Sequence, residues 1–309
     1  MTSHQSPITR HYTIGARGSR LSLRQVELAR ELLLAAAPGT QLDVREIRTE
    51  GDRSAAPLSE IGGLGVFTKA IEDALLSREI DIAVHSLKDL PPQLADGLTI
   101  GAVPERGDAR DVLVTRDSRP IAELPQGARI GTGSERRAVQ LRALRSDLLP
   151  VEIRGNVDTR IRKVEAGEFD GAVLALAGLE RLGLEAKATR IFTLDEMLPA
   201  VGQGALAVEV RADDADTLAL VSRIDHASTR AAVEAERAFL DRLGAGCRMP
   251  VGAYAVATET VLHLEAMLAR ESGSIRRMSE QIPWTADAPL DDARALGSSV
   301  ADAILAKTS

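Results

Sequence analysis

Cysteine, aromatic residues and positive charge are all scarce in this sequence. One thiol, that of Cys247, among 309 residues allows neither an internal disulfide nor a zinc site built on several thiolates. Aromatic residues make up only 2% of the chain, which leaves few surfaces on which single-stranded nucleic acid could stack. The net charge of −7 also provides no overall field that would attract nucleic acid. We therefore expect no nucleic-acid partner.

Long apolar runs are missing as well. The longest, residues 32–37, is far too short to cross a bilayer. The first residues show no basic region followed by an apolar stretch, so we expect a cytoplasmic protein with no membrane contact. The hydrophobic fraction of 44% and the charged fraction of 27% are typical of globular proteins, and the length favours two or three domains over one core.

Lysine is scarce, and arginine takes its place. The chain has 33 arginines and 5 lysines. Genome composition accounts for many surface arginines, but it does not explain arginines that recur at the same position of a repeated motif. Those arginines are candidates for a function.

The first hundred residues alternate between strand and helix patterns, which favours an α/β fold. Strands are predicted at residues 12–16, 42–48 and 81–85, and helices at residues 21–36 and 67–77.

The pattern then repeats. The turn after Ile14, Gly-Ala-Arg-Gly-Ser, has a counterpart after Ile130, Gly-Thr-Gly-Ser, and each precedes a helix. Asp81-Ile-Ala-Val is likewise repeated as Asp170-Gly-Ala-Val. Two similar lobes with mixed sheets, facing each other across a cleft as in solute-binding proteins, would place a ligand at the carboxyl ends of their strands.

These patterns predict three domains. Lobe 1 comprises residues 12–104 with 205–222, lobe 2 residues 110–198, and a small C-terminal α+β domain residues 227–309. The chain is expected to cross between the lobes near residues 104–109 and 198–204, where glycine and proline suit a hinge. In the last domain we predict a helix from residue 227, strands at 251–257, 261–269 and 275–282, and a helix at 293–306.

Both glycine-serine turns are candidate anion sites. A glycine-rich turn at a helix start presents free backbone N–H groups, and arginine forks bind carboxylates in a bidentate manner. The alternative is a pair of ordinary N-caps with arginines that face solvent. The polar residues in these turns are Arg17, Ser19, Thr132, Ser134, Arg136 and Arg137. Three further arginines lie near predicted strand–helix junctions of lobe 2. Arg154 precedes Gly155-Asn156, Arg160 lies on the helix that follows, and Arg181 follows a strand predicted at residues 172–177.

The sharpest local feature is His85-Ser-Leu-Lys-Asp89, in which a buried strand runs directly into polar residues. Asp89 could accept hydrogen bonds and offset a developing positive charge. Lys88 could bind an anion or act as a Schiff-base nucleophile, and the two could also form an ordinary ion pair at a strand end. His85 is interpreted as a core histidine or one that supports the site from behind.

Cys247 lies between a glycine and an arginine. Free cysteines are often buried as small hydrophobic residues. Here the neighbours favour a loop thiol with a lowered pKa, which could act as a nucleophile.

Taken together, these residues resemble the hydroxymethylbilane synthase (porphobilinogen deaminase) family. The resemblance runs from about Tyr12 into the C-terminal domain. It is carried by Arg17-Gly-Ser19, Gly62-Gly63 with Phe67, His85-Ser-Leu-Lys-Asp89, Gly131-Thr-Gly-Ser-Glu-Arg-Arg137, Arg154-Gly-Asn-Val157 with Thr159-Arg160, Ala175-Leu-Ala-Gly-Leu179 with Arg181, Leu198-Pro-Ala-Val-Gly-Gln-Gly-Ala205 and Gly246-Cys247.

The resemblance implies a monomeric transferase of porphyrin and haem biosynthesis. Such enzymes condense four porphobilinogen molecules head to tail into a linear tetrapyrrole and release ammonia at each step. They build on one covalent dipyrromethane, which the resemblance attaches to Cys247 through a thioether, and no metal is implied. The many arginines would then neutralise the paired carboxylates of the pyrroles.

The resemblance also implies roles for individual residues. Asp89 is the expected catalytic residue, which contacts pyrrole N–H groups and stabilises positive charge. Expected cofactor ligands are Ser86, Lys88, Asp89, Thr132, Ser134, Arg136, Arg137 and Arg160; expected substrate ligands are Arg17, Ser19, Arg154, Arg181 and Gln203; Gly63 and Phe67 belong to an expected lid loop.

Three departures accompany this interpretation: Arg20 stands where many related sequences have proline, Gly133 replaces a second serine, and the third is at Leu64. Leu64 stands where related sequences commonly have a lysine, so the lid loop loses that charge.

Of the alternatives, a catalytically inactive member of the family is disfavoured because Asp89 is retained, and two others belong to different classes. A two-lobed solute-binding protein without catalysis would explain the anion-binding turns, but it would need neither a third domain nor Cys247. A Schiff-base enzyme would use Lys88 and would not need the thiol.

Overall fold

A computed structural model describes residues 11–47, 68–244, 250–270 and 273–306. Within these ranges the chain forms two five-stranded mixed sheets and one three-stranded antiparallel sheet, together with eight α-helices. This is the predicted fold class: two α/β lobes followed by a small α+β unit.

The first sheet contains a segment from late in the chain. Its strand order is β2-β1-β3-β10-β4, with β1 parallel to β2 and β3, and β10 antiparallel to β3 and β4. The strands are β1 (His11–Ala16), β2 (Gln41–Glu46), β3 (Ile82–Ser86), β4 (Leu98–Ala102) and β10 (Leu206–Arg211); the helices are α1 (Arg20–Ala36), α2 (Lys69–Leu76) and α6 (Ala215–Val221).

The second sheet has the same plan. Its order is β7-β6-β8-β5-β9, with β6 parallel to β7 and β8, and β5 antiparallel to β8 and β9. The strands are β5 (Asp111–Thr115), β6 (Arg129–Gly131), β7 (Leu149–Val151), β8 (Gly171–Ala175) and β9 (Arg190–Ile191); the helices are α3 (Glu135–Leu144), α4 (Val157–Glu165) and α5 (Leu176–Leu182).

The repeat seen in the sequence is therefore a structural repeat, and one aspartate marks it in each lobe. In lobe 1 the Asp81 carboxylate accepts a hydrogen bond from the backbone N–H of Thr13 at 3.0 Å. In lobe 2 the Asp170 carboxylate accepts one from the N–H of Arg129 at 2.7 Å. Asp81 precedes β3, which pairs in parallel with β1, and Asp170 precedes β8, which pairs in parallel with β6. The two aspartates therefore fix the equivalent strand register in each lobe.

Helix α1 shows how the local sequence forms these elements. The Ser19 side chain accepts a hydrogen bond from the N–H of Ser22 and so caps the first turn. Val26, Ala29 and Leu33 recur at helical spacing and are almost fully buried against the first sheet.

The C-terminal unit packs two helices on one face of its sheet. It consists of α7 (Ala227–Arg242), β11 (Val251–Ala257), β12 (Val261–Ala269), β13 (Ile275–Pro283) and α8 (Leu290–Ala306). Phe239, Trp284 and Leu296 are buried between the helices and the sheet. Met267 lies in a separate cluster with Leu198, so the sheet also contacts the second crossover between the lobes.

Two predicted strands are too long, and the first of them, expected at residues 42–48, ends at Glu46. The strand expected at residues 172–177 ends at Ala175, and Leu176 begins α5. Leu176 and Leu179 both bury their side chains in lobe 2, which a helix achieves because the two residues lie one turn apart. Arg181 therefore lies in the last turn of a helix instead of directly after a strand.

The two crossovers touch each other. The N–H of Gly107 in the first crossover donates to the carbonyl of Gly204 in the second at 3.2 Å. Gly204 has a φ of +88°, and a Cβ there would lie 2.5 Å from the Gly107 carbonyl oxygen. Glycine is needed at this point because both the conformation and the close approach exclude a side chain.

Candidate active site at the strand ends of both lobes

The carboxyl ends of the parallel strands carry most of the predicted site residues. Because β1 and β3 are parallel, Arg17 and Asp89 emerge at the same edge of the first sheet. In the second sheet β6 and β7 are parallel, so Thr132 and Arg154 share an edge. The lobes meet where α1 packs against α5, and the Arg20 guanidinium pairs with the Asp158 carboxylate of lobe 2 at 3.1 Å.

Asp89 lies on a short 3-10 turn, Leu87–Asp89, that follows β3 directly. Leu87 and Leu90 on either side are almost fully buried and pack with Val233 of α7. The Asp89 side chain is exposed. A carboxylate is thus presented to solvent from a rigidly anchored turn.

Lys88 points into a polar cluster between the lobes. Its ammonium donates a hydrogen bond to the Gln203 side-chain oxygen at 3.2 Å. Burial and the nearby Arg137 guanidinium lower the pKa of Lys88 to about 8, although Asp89 and Asp111 oppose this shift. Lys88 is therefore a cation that a further carboxylate would stabilise.

Arg160 contributes a second cation near Asp89. Its Nε donates to the Gly155 carbonyl at 2.8 Å. Burial and then the Arg137 charge lower the pKa of Arg160 to about 10, whereas Asp89 raises it. Asp89 of lobe 1 and Arg160 of lobe 2 therefore lie within electrostatic reach of each other.

Arg136 and Arg137 share one buried carboxylate, that of Asp111. The Arg136 Nη1 and the Arg137 Nη2 each lie 2.7 Å from an Asp111 oxygen, and the aspartate is fully buried. Burial alone would raise the pKa of Asp111, but the two guanidiniums outweigh burial and hold it well below its usual range. Burial lowers the pKa of Arg136.

Gln203 connects this cluster to both lobes. Its side-chain nitrogen donates to Asp111 at 2.9 Å and to the Ala109 carbonyl at 2.7 Å. Its backbone carbonyl accepts from Arg106 at 2.8 Å. The side chain is fully buried, so Gln203 joins the second crossover, lobe 2 and Lys88 of lobe 1.

Arg181 binds the second crossover as well. Its Nη2 donates to the Gly204 carbonyl at 2.5 Å. Burial lowers the pKa of Arg181 to about 10, and the Glu180 charge opposes this shift only in part.

The remaining predicted ligands have local partners. Ser19 caps α1, and the Ser22 hydroxyl accepts from the Arg17 backbone N–H at 3.1 Å. The Thr132 hydroxyl accepts from the Ser134 N–H at 3.1 Å, and Ser134 precedes α3 without capping it through its own side chain. The Ser86 hydroxyl accepts from Gln25 at 2.8 Å. The Arg154 Nε donates to Glu152 at 3.0 Å.

His85 is a core residue, as interpreted from the sequence. It is 6% exposed, and its Nε2 lies 3.0 Å from a carboxylate oxygen of Glu209, which is fully buried on β10. Sequence reasoning missed Glu209 and Asp111, since the contacts that define them join residues far apart in the chain. Their only sequence signal was an acidic residue within or beside an apolar strand.

Three predicted residues, Gly63, Phe67 and Cys247, lie outside the described residues, as does Leu64. Within the described ranges, no group of three or more histidine, cysteine, aspartate or glutamate side chains could hold a metal ion. The same ranges contain no helix with the length and apolar content needed to span a bilayer.

The cation set fits a ligand that carries several carboxylates. Lys88 and Arg160 are cations whose burial calls for a further anion, and the Asp89 charge acts on both. Fold and site together define a two-lobed α/β protein with a cluster of cationic side chains between its lobes and a third domain attached.

Comparison with known proteins identifies the family. The family described as "Porphobilinogen deaminase, dipyromethane cofactor binding domain" matches residues 12–219, and "Porphobilinogen deaminase, C-terminal domain" matches residues 230–306. The chain belongs to the porphobilinogen deaminase family.

Individual relatives agree over nearly the whole chain. The porphobilinogen deaminase of Brevibacillus brevis is 46% identical over 298 residues, which is 96% of this chain and 94% of that protein. That of Desulforudis audaxviator is 48% identical over 297 residues, again 96% of this chain and 94% of that protein. Among solved structures, the methionine binding protein MetQ matches with 14% identity and a TM-score of 0.44, over 69% of this chain and 89% of that chain.

Proposed function

We propose that this chain condenses four porphobilinogen molecules head to tail into the linear tetrapyrrole hydroxymethylbilane. Each addition forms one carbon–carbon bond and releases one ammonia. The observation that carries the proposal is the position of Asp89, an exposed carboxylate among Lys88 of its own lobe and Arg137 and Arg160 of the other. A bound dipyrromethane would supply the pyrrole onto which substrates are added, with Cys247 as its attachment residue.

Asp89 is assigned the catalytic role. Its oxygens are placed to accept hydrogen bonds from pyrrole N–H groups and to offset positive charge that develops when ammonia leaves. It is the acidic residue of the cluster that faces solvent, since Asp111 is buried between two arginines. The same carboxylate can take up the proton that is released after coupling.

The cationic side chains are assigned to the carboxylates of the dipyrromethane and of porphobilinogen. Lys88, Arg136, Arg137 and Arg160, with the hydroxyls of Ser86, Thr132 and Ser134, are proposed to hold the dipyrromethane. Arg17, Ser19, Arg154, Arg181 and Gln203 are proposed to hold the incoming porphobilinogen, with Gly63 and Phe67 in a lid over the site. Support comes from burial, which makes the charge of Lys88, Arg160 and Arg181 costly without an anion.

The division into domains follows the sheets. We propose lobe 1 as residues 12–104 with 205–222, lobe 2 as 110–198 and the third domain as 227–309. In support, β10 returns to the first sheet after lobe 2 has ended, and α7 begins the third core.

We further propose a cytoplasmic monomer that binds no nucleic acid. The charge of −7 and the shortage of aromatic residues disfavour nucleic acid. Large exposed hydrophobic residues of the described surface, such as Leu23, Leu149 and Val256, are spread over eight elements, which is common in monomers. A light-scattering mass equal to twice the chain would contradict the monomer.

The intact mass of the purified protein tests the function. We expect the chain mass plus one dipyrromethane, and the chain mass alone for Cys247→Ala. Asp96→Asn, an exposed acid of lobe 1 away from the site, serves as the control and should keep the added mass. A wild-type protein that never carries the added mass, even after incubation with porphobilinogen, would refute the proposal.

A further inference from the structure

We propose that Asp111 is a positioning residue that stands in for a carboxylate of the dipyrromethane. In the cofactor-free protein its carboxylate holds Arg136 and Arg137 in place, and part of that task passes to the cofactor once it is bound. This inference rests on the proposed function and adds a role for a residue outside the predicted set.

The geometry of Asp111 is that of a bound carboxylate ligand. It is the first residue of β5 and is fully buried. Arg137 contacts one of its oxygens through Nε at 3.1 Å and Nη2 at 2.7 Å, while Arg136 contacts the other at 2.7 Å. Such charge-assisted bonds on both oxygens are how arginines recognise carboxylates of ligands.

Both arginines are also anchored from behind. Arg136 donates to the Leu198 carbonyl at 2.6 Å, and Arg137 donates to the Val173 carbonyl at 3.0 Å. Backbone carbonyls fix the direction of each guanidinium but bring no full negative charge. The charge that balances the pair therefore comes from Asp111.

One carboxylate is not enough for the whole cluster. Lys88, Arg136 and Arg137 carry three positive charges against the single negative charge of buried Asp111, which leaves a surplus of two before exposed Asp89 is counted. A buried surplus of positive charge is unfavourable and favours an added anion. Asp111 therefore holds the cluster together, and the remaining positive charge favours a further carboxylate.

This arrangement couples Asp111 to the cofactor. Asp111→Asn keeps the side-chain shape and removes the charge. Without cofactor, two buried guanidiniums would then lack a counter-ion, and we expect the melting temperature to fall by roughly 10 °C. With cofactor present, its carboxylates supply part of the missing charge, and the loss should be less than half as large.

The experiment compares melting temperatures in two backgrounds. Asp111→Asn is measured in the loaded protein, with loading verified by intact mass, and in Cys247→Ala protein, which cannot retain the cofactor. Asp225→Asn is the matched control, because Asp225 pairs with the buried Arg230 and also accepts a backbone N–H. Its loss should be equal in both backgrounds. If Asp111→Asn also lowered the melting temperature equally in both backgrounds, Asp111 would be part of an ordinary structural ion pair, and the inference would be overturned.

A charge-balanced variant gives a second readout. Adding Arg137→Gln to Asp111→Asn should raise the melting temperature in the Cys247→Ala background and lower it in the loaded protein. A change in melting temperature of the same sign in both backgrounds would contradict the inference. If Asp111→Asn accumulates in neither background, the charge-balanced variant must accumulate in the Cys247→Ala background, and its failure there would also overturn the inference. Intact mass reports separately on the proposed function.

Discussion

At the scale of single residues, the site combines one exposed acid with cations that are costly to bury. We expect Asp89→Asn to lower kcat at least about a hundredfold, because the amide cannot offset positive charge in the transition state. The melting temperature should change by no more than about 2 °C, since the Asp89 side chain is exposed. Steady-state turnover of porphobilinogen and thermal melts give the two numbers. Asp96→Asn, another exposed acid of lobe 1, should leave both unchanged.

Lys88 provides a prediction on pH. Its pKa of about 8 in the folded protein lies below its ordinary value of 10.5 because of burial and the Arg137 charge. Between these two values the unfolded chain binds more protons than the folded one, so stability rises with pH in that window. In the Cys247→Ala background, Lys88→Met should therefore be more stable than its parent below pH 8, and the difference should vanish toward pH 10.5. Melting temperatures across pH 7–10.5 test this; a constant difference would contradict it.

The residues of the candidate site could be recognised in the sequence, but their partners within the protein could not. Lys88 and Asp89 stand out because polar residues follow a buried strand directly. The pairing of Asp111 with Arg136 and Arg137 depends on how β5 and α3 pack, and that contact joins residues more than twenty positions apart. No local sequence pattern identifies a contact between residues so far apart in the chain.

At the scale of elements, periodicity predicted most helices and strands, and the repeat predicted the two lobes. Strands β11 and β12 have the predicted limits, and α1 starts one residue earlier than expected. The strand predicted at residues 172–177 was wrong at its C-terminal end. A short apolar run has the same sequence pattern in a buried strand and in a buried helix. Only the packing of Leu176 and Leu179 decides between them.

The second crossover gives a prediction for an element. Gly204→Ala should lower the free energy of unfolding by about 2–3 kcal/mol, because alanine is strained at positive φ and its Cβ would meet the Gly107 carbonyl. Gly178→Ala is the control: its Cβ would have only ordinary contacts at 3.8 Å, and helix α5 should tolerate it. Urea unfolding measures both. If Gly204→Ala and Gly178→Ala had equal free energies of unfolding, the contact between the two crossovers would contribute nothing to stability.

At the scale of the whole molecule, one buried carboxylate joins the three domains. Glu236 of α7 binds Arg106 of the first crossover at 2.6 Å and accepts the N–H of Gly202 in the second crossover at 2.6 Å. It also accepts the N–H of Ala255 in β11 at 2.8 Å. Arg106 lies over the Tyr254 ring and holds the Gln203 carbonyl, so the junction reaches the active site.

This junction also joins the two elements that flank Cys247 in the sequence. Helix α7 ends five residues before Cys247, and β11 begins four residues after it. Glu236 therefore ties both of these elements to the second crossover, and α7 packs through Val233 against the turn that carries Asp89. Loss of the junction should loosen the third domain from the cleft without removing any group that contacts substrate.

We therefore expect Glu236→Gln to have two effects. The free energy of unfolding should fall by about 3–5 kcal/mol, because the Arg106 guanidinium loses its buried counter-ion. Calorimetry should show a separate early transition of the third domain, and intact mass should show a smaller loaded fraction after expression. Asp302→Asn, which breaks the exposed ion pair with Arg242 of the same helix, should change neither. If Glu236→Gln melts in a single transition and loads fully, other contacts must hold the third domain to the lobes, such as the hydrogen bonds from Arg237 to the Pro91 and Pro92 carbonyls.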